Sequence, residues 1–199
     1  MTVIMSIAPT RKEISQERIV DVASRVIRRA GIRGVGVAST MKEAGLTHGG
    51  FYAHFESRDA LVAEAMKRAG RDTSAALKAA VDRRAAKGHS RFAALVRAYL
   101  QDGHLERVED GCVVAALASE MGRQHNAVRD EARRSVTDLV HLVRSTLPTG
   151  GDAPQAEYVT ATMVGALQLA RVLGDKPGRD LLARTREQLI AHFDSPSIR

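Results

Sequence analysis

The stretch with the most chemistry to offer runs Gly36-Val-Ala-Ser-Thr-Met-Lys-Glu-Ala-Gly-Leu-Thr-His-Gly-Gly-Phe-Tyr-Ala-His-Phe55. Two short helical segments flank a tight break at Gly45-Leu46-Thr47, and three of the chain's seven aromatic residues crowd into Phe51 to Phe55. A helix, a short turn containing glycine and a second helix that begins with a polar cap make a helix-turn-helix. The second helix of such a unit lies in the major groove of DNA. The chemistry here is recognition.

Other kinds of chemistry find little support. The seven histidines are scattered, and none pairs with another at the i, i+4 spacing a zinc helix needs. No glycine-rich phosphate loop is present. Glu120 and His125 share one segment, but a solvated or capping pair explains them better than acid–base catalysis. An enzyme is therefore not expected, and no metal or cofactor is called for. Cys112 is the single cysteine, so no disulfide can form within the chain, and a reducing, cytoplasmic setting is expected. If Asp110 caps the next helix, Cys112 lies in its first turn, where the dipole favours a thiolate and an electrophile or redox sensor becomes conceivable. The alternative is a buried cysteine acting as a small hydrophobe. The formal charge of +7 and pI near 10.1 favour an anionic partner such as nucleic acid. No apolar run approaches a membrane span, and Arg11 and Lys12 follow the mildly apolar start instead of preceding it as in a signal peptide.

The elements that position these residues read as all-α. Residues 1–12 form an expected flexible arm, with Pro9 delaying the first helix until Ser15. Ile19, Ala23, Val26, Ile27 and Ala30 give that helix one apolar face, and Gly31 ends it. Arg18, Arg25 and Arg29 share a flank that is either solvated or set against phosphates. Val37 to Ala44 is the second helix. Thr47 should cap the third, which runs to about His54 with Phe51 and Phe55 turned inward and His48 and Tyr52 on another face. Ser57 caps a long helix that works as a mechanical link into a larger bundle, and five further helices follow. The expected division is a helix-turn-helix domain at 13–73, with its motif at 36–55, and a bundle at 74–199 for effector binding and dimerisation.

The run Gly45-Leu-Thr-His-Gly-Gly-Phe-Tyr-Ala-His-Phe-Glu-Ser-Arg-Asp-Ala-Leu61 resembles the signature of the tetracycline-repressor (TetR) family of transcriptional regulators. The resemblance covers residues 13 to 73, and Gly111-Cys-Val-Val with Ala118-Ser-Glu120 is similar to one subgroup. It implies a homodimer on a palindromic double-stranded DNA operator, acting as a repressor that a small-molecule effector releases. Carried over by position, Thr47 and Tyr52 contact the phosphate backbone, Arg58 stands where many members have a phosphate-binding Lys, and His54 matches a frequent residue of the motif. His48, Gly49 and Gly50 match positions that face base edges. Two glycines there depart from a side-chain-rich reader, which suggests close backbone approach and readout of DNA shape, or simply tight packing. Thr40 occupies a position that usually holds Ile. Leu95, Tyr99, Cys112, Leu117 and Met121 lie on helices that line the family's cavity, although residues of these types are more often plain core. Ala161, Gly165, Leu182, Leu189 and Phe193 on the last two helices are suited to a four-helix dimer contact or to packing within the chain.

Overall fold

The computed structural model describes residues 9–148 and 151–194. Residues 1–8 of the expected arm lie outside that range, as do Thr149 and Gly150 of the turn that follows Pro148. All regular structure among the described residues is helical. In order the elements are α1 (Arg11–Gly34), α2 (Val37–Glu43), a 3-10 helix (His48–Ala53), α3 (Arg58–Ala85), α4 (Arg91–Tyr99), α5 (Asp102–Glu106) and a 3-10 turn (Val108–Asp110). Then come α6 (Val113–Met121), α7 (Asn126–Arg144), α8 (Ala153–Leu173) and α9 (Asp175–Phe193).

The first helix begins earlier than Ser15. Thr10 accepts from the Glu13 N–H at 3.2 Å while its own N–H donates to the Glu13 carboxylate at 2.7 Å. This reciprocal capping box satisfies two terminal donors, so Arg11 and Lys12 belong to the first turn and not to an arm. Near its other end α1 breaks at Gly31, where φ is +77°. A Cβ there would stand 2.6 Å from the Glu120 carboxylate, which accepts the Ile32 N–H at 3.0 Å. The expected stop at Gly31 thus also opens the space through which α6 grips α1.

Ser57 caps α3 by accepting from the Ala60 N–H at 3.1 Å. The helix then runs unbroken for 28 residues, roughly 42 Å at the α-helical rise. Its first half buries Leu61, Ala65, Met66 and Ala69, and its second half buries Leu77 and Val81. The buried apolar residues make one continuous core from Ile19 through Leu189. Polar ties reinforce the junction between the first helices and the rest: Arg28 donates to the Gly111 carbonyl at 3.3 Å and Arg29 pairs with Glu109 at 2.9 Å.

A buried histidine organises the segment that receives those ties. His104 Nε2 accepts the Cys112 N–H at 2.8 Å, so Nδ1 carries the proton and donates to the Tyr99 carbonyl at 2.7 Å. Both nitrogens are used only in the neutral ring, and burial holds its pKa down at about 4. At the far end, α8 and α9 pack closely because Gly178 lies on the Ala170 carbonyl, where any Cβ would overlap.

Candidate nucleic-acid interface

The helix-turn-helix forms where the sequence places it. The α2 helix ends at Glu43, Gly45 turns the chain with φ +70°, and the Leu46 N–H closes the turn on the Met41 carbonyl at 2.9 Å. Arg18 donates to the Ala44 carbonyl at 2.7 Å, clamping the turn to α1. Beneath the second element Phe51 and Phe55 are buried and stacked, ring centroids 5.6 Å apart. Tyr52 sets its ring edge-on to Phe51 at 5.3 Å and remains 75% exposed. A large aromatic ring held by its edge with its hydroxyl in solvent is placed to meet a partner, not to fill a core.

The second element itself differs from expectation. His48–Ala53 is a six-residue 3-10 helix, not an α-helix. Two adjacent glycines each cost an α-helix roughly 1 kcal/mol relative to alanine, and short segments of this kind settle into the tighter winding. Thr47 stands at its N-cap position but makes no side-chain cap bond. Its hydroxyl is therefore open to an outside acceptor, together with the exposed His48 and Tyr52. A Cβ on Gly49 would meet nothing within 4 Å, and one on Gly50 would make only ordinary contacts with Thr47 and Met41. Tight packing does not explain either glycine, which leaves close approach from outside or tolerance.

Arg58 bonds within the chain. Its guanidinium donates to the Val35 carbonyl at 2.8 Å and to the Ile32 carbonyl, and it pairs with Asp59 at 3.5 Å. It ties the end of α1 to the start of α3 through Nε and Nη2, while Nη1 faces the exposed Asp59 at the surface. The flank of Arg18, Arg25 and Arg29 is likewise spent internally, on Ala44, Asp21 and Glu109. His54 is half-buried with its Nδ1 enclosed and unpartnered, a poorer candidate for DNA than Tyr52. Thr40 is buried and its hydroxyl has no partner, so only its methyl serves the core. Lys42 is an exposed cation at the end of α2 that the motif reading passed over, although a basic residue in a helix's last turn is a readable signal.

Comparison with known proteins gives this geometry a family. Residues 19–65 match the model for bacterial regulatory proteins of the tetR family, and residues 88–186 match the tetracyclin repressor-like C-terminal domain. The chain belongs to the TetR family. A helix-turn-helix-type transcriptional regulator of Mycobacterium tuberculosis is 27% identical to it, over 88% of this chain and 93% of that protein. Among solved structures, a TetR regulator from Chloroflexus aurantiacus aligns with TM-score 0.73 at 22% identity, covering 92% of this chain and 95% of the other. The reduced form of NemR from Escherichia coli aligns with TM-score 0.74 at 18% identity, covering 92% and 100%. The protein is thus a DNA-binding transcriptional regulator and not an enzyme. TetR-family regulators bind small-molecule ligands and act as dimers. No helix among the described residues is long and apolar enough to cross a membrane.

In the bundle of this TetR-family chain the expected pocket residues and the observed clefts largely separate. Leu95, Tyr99, Leu117 and Met121 are buried core residues that line neither of the two clefts beside α3. Cys112 does line one, yet it is the N-cap residue of α6, with Asp110 in the preceding 3-10 turn and not capping. Its thiol is buried beside the Tyr99 hydroxyl, whose pKa burial raises. A buried thiol of this kind packs as a small hydrophobe, the second of the two readings the sequence offers. The clefts measure about 950 and 720 Å³; both include Thr73 and Leu77, and the Gly111–Cys112 step divides them. Sequence reasoning missed the second cleft's polar residues Glu131 and Ser135, which interrupt the apolar stripe of Val128, Ala132 and Leu139 at i, i+4 spacing.

The expected dimer residues divide. Leu182 and Leu189 are buried within the chain, whereas Ala161 is exposed and Gly165 and Phe193 are half-buried at the surface. Nothing lies within 4 Å of a Cβ on Gly165. Around it α8 exposes Tyr158, Leu169, Val172 and Leu173, with Val172 85% accessible. The sequence carried this signal: α8 is apolar on more than one face, which a helix packed on one side only does not need.

Proposed function

We propose that this protein is a cytoplasmic, homodimeric repressor that binds a palindromic operator and leaves it when a small molecule enters the bundle. The observation that carries the reading is the exposed Thr47, His48 and Tyr52 on a clamped, aromatic-packed turn. A six-residue reading element bearing two glycines makes few base contacts, so useful specificity calls for two half-sites. Two-fold DNA symmetry calls for a two-fold dimer. The exposed apolar strip of Tyr158, Leu169 and Val172 supports such a dimer, because monomers rarely leave such a row uncovered.

Thr47 and Tyr52 are assigned to phosphates, His48 to a base edge, and Gly49 and Gly50 to close approach of the backbone to the groove. The deciding experiment is selection of bound duplexes from random DNA by the full chain, paired with sedimentation analysis. Enrichment of a palindrome by a dimer is the expected result. An unenriched pool, or a chain that stays monomeric on DNA, would overturn the proposal.

A further inference from the structure

The cleft of about 720 Å³ between α3 and α7 contains an unexplained feature. Ser135 is buried, its hydroxyl has no hydrogen-bond partner, and it lines the cleft. An unmet buried hydroxyl is costly and stands out in a folded chain. One turn earlier on the same face is Glu131, whose side chain is only 11% exposed and whose ion pair, to Arg134 at 3.4 Å, is with an exposed partner. Burial raises the pKa of that carboxyl. Opposite them is Gly70: a Cβ there would sit 3.6 Å from the Ser135 hydroxyl, so glycine leaves the space above it free. Leu77, Val113, Val114, Leu139 and Leu142 supply apolar wall. The larger cleft has no buried unpartnered group of this kind in its lining.

We propose that this cleft is the effector site and that its ligand is uncharged, an apolar body ending in a hydrogen-bond donor held by Ser135 and Glu131. The charge follows from two opposed exclusions. An organic anion would bring its head against the buried carboxyl of Glu131. A cation would pass a rim where Lys67, Arg71, Lys78 and Arg134 outnumber Asp138. A neutral donor, such as a hydroxyl, meets the two acceptors with neither penalty, and its body takes the apolar wall. The proposal rests on the reading of the protein as a ligand-responsive regulator.

Benzyl alcohol, protonated benzylamine and benzoate share one body and differ in head charge. With the full chain, methyl NMR shifts of Val113, Val114 and Leu139 report occupancy of the cleft. Benzyl alcohol should shift these methyls saturably, with the two ions at least about tenfold weaker, the size of a modest electrostatic mismatch. Ser135→Ala should weaken benzyl alcohol roughly fivefold, the scale of one hydrogen bond. Glu131→Gln should narrow the gap between benzoate and benzyl alcohol, and Ser135→Met should fill the cleft and abolish the shifts. Equal binding of all three probes, shifts elsewhere only, or an unchanged response in Ser135→Ala would overturn the proposal. Ser135→Ala removes only one oxygen, so it decides even where Ser135→Met fails to fold. Operator selection by ligand-free protein is independent: its failure removes the regulator reading, whereas silent methyls with an intact operator remove only this site.

Discussion

Tyr52 and Arg58 lie six positions apart in the same motif, and the structure gives them opposite duties. Tyr52 is exposed and its hydroxyl touches nothing within the chain that would be lost on deletion of one oxygen. Tyr52→Phe should therefore leave thermal stability unchanged and weaken operator binding about fivefold to tenfold on every duplex, the worth of one hydrogen bond to phosphate. Fluorescence anisotropy on operator and random duplexes would show it, and a loss confined to the operator would contradict a phosphate contact. Arg58 holds the Val35 and Ile32 carbonyls. Arg58→Ala should destabilise the chain by roughly 1–3 kcal/mol, as the Val35 carbonyl loses its side-chain donor and the Ile32 carbonyl keeps only the Val35 N–H. If Arg58 makes no phosphate contact, the slope of log affinity against log salt should stay as it is, because the number of counterions released does not change. A flatter slope at unchanged urea midpoint would restore the phosphate role. The sequence could not separate these two residues: motif position reports where a side chain starts, and only the fold shows which carbonyls it can reach.

At the scale of elements, most helices were legible and the reading element was not. Phe51 and Phe55 at i, i+4, the Gly45 turn and the Ser57 cap each produce a local outcome that neighbours in sequence settle, and all are observed. The start of α1 was misplaced because Ser15 and Thr10 are both good caps, and the reciprocal Glu13 bond decides between them. The 3-10 winding of His48–Ala53 turns on the balance between two glycines and the packing of Phe51, which periodicity cannot weigh. Gly49→Ala tests what that winding is for. Since a Cβ there meets nothing within 4 Å, the substitution should hold or raise stability by up to about 1 kcal/mol. If the backbone approaches the groove at this point, the added methyl should nevertheless weaken operator binding at least several-fold. Unchanged affinity together with the stability gain would mark Gly49 as merely tolerated.

At the scale of the whole molecule, the exposed apolar strip is hidden from sequence because it depends on which of several apolar faces the chain itself covers. Leu182 and Leu189 looked equally fit for a partner and for the core, and the chain buries them. Tyr158, Leu169 and Val172 are what it leaves exposed on α8. Two like charges placed on that exposed strip should split a dimer without unfolding the monomer. Leu169→Glu with Val172→Glu should give a folded monomer by sedimentation, with far-UV dichroism unchanged and operator affinity reduced more than a hundredfold, since each half-site alone binds weakly. A double variant that remains dimeric would place the partner surface elsewhere.

The junction between the DNA-binding helices and the bundle should also respond to pH, through His104. Its neutral ring holds the Tyr99 carbonyl and the Cys112 N–H, and Cys112 adjoins Gly111, whose carbonyl takes both Arg28 of α1 and Thr73 of α3. The folded ring has a pKa of about 4 against 6.5 in the unfolded chain. Between those values the unfolded state binds the proton and the folded state does not. The stability His104 contributes is therefore fully present above 6.5 and is lost as pH falls towards 4, about 3 kcal/mol across the window. Other groups titrate in the same range, and Glu131, raised by burial, works in the opposite sense, so wild type alone would not isolate the effect. His104→Gln keeps a carbonyl to accept the Cys112 N–H and cannot titrate. The difference in urea stability between wild type and this variant should shrink on acidification by about that amount. A difference that stays constant from neutrality down to about 4 would mean that the ring protonates in place and that the Gly111 tie does not depend on its neutral form.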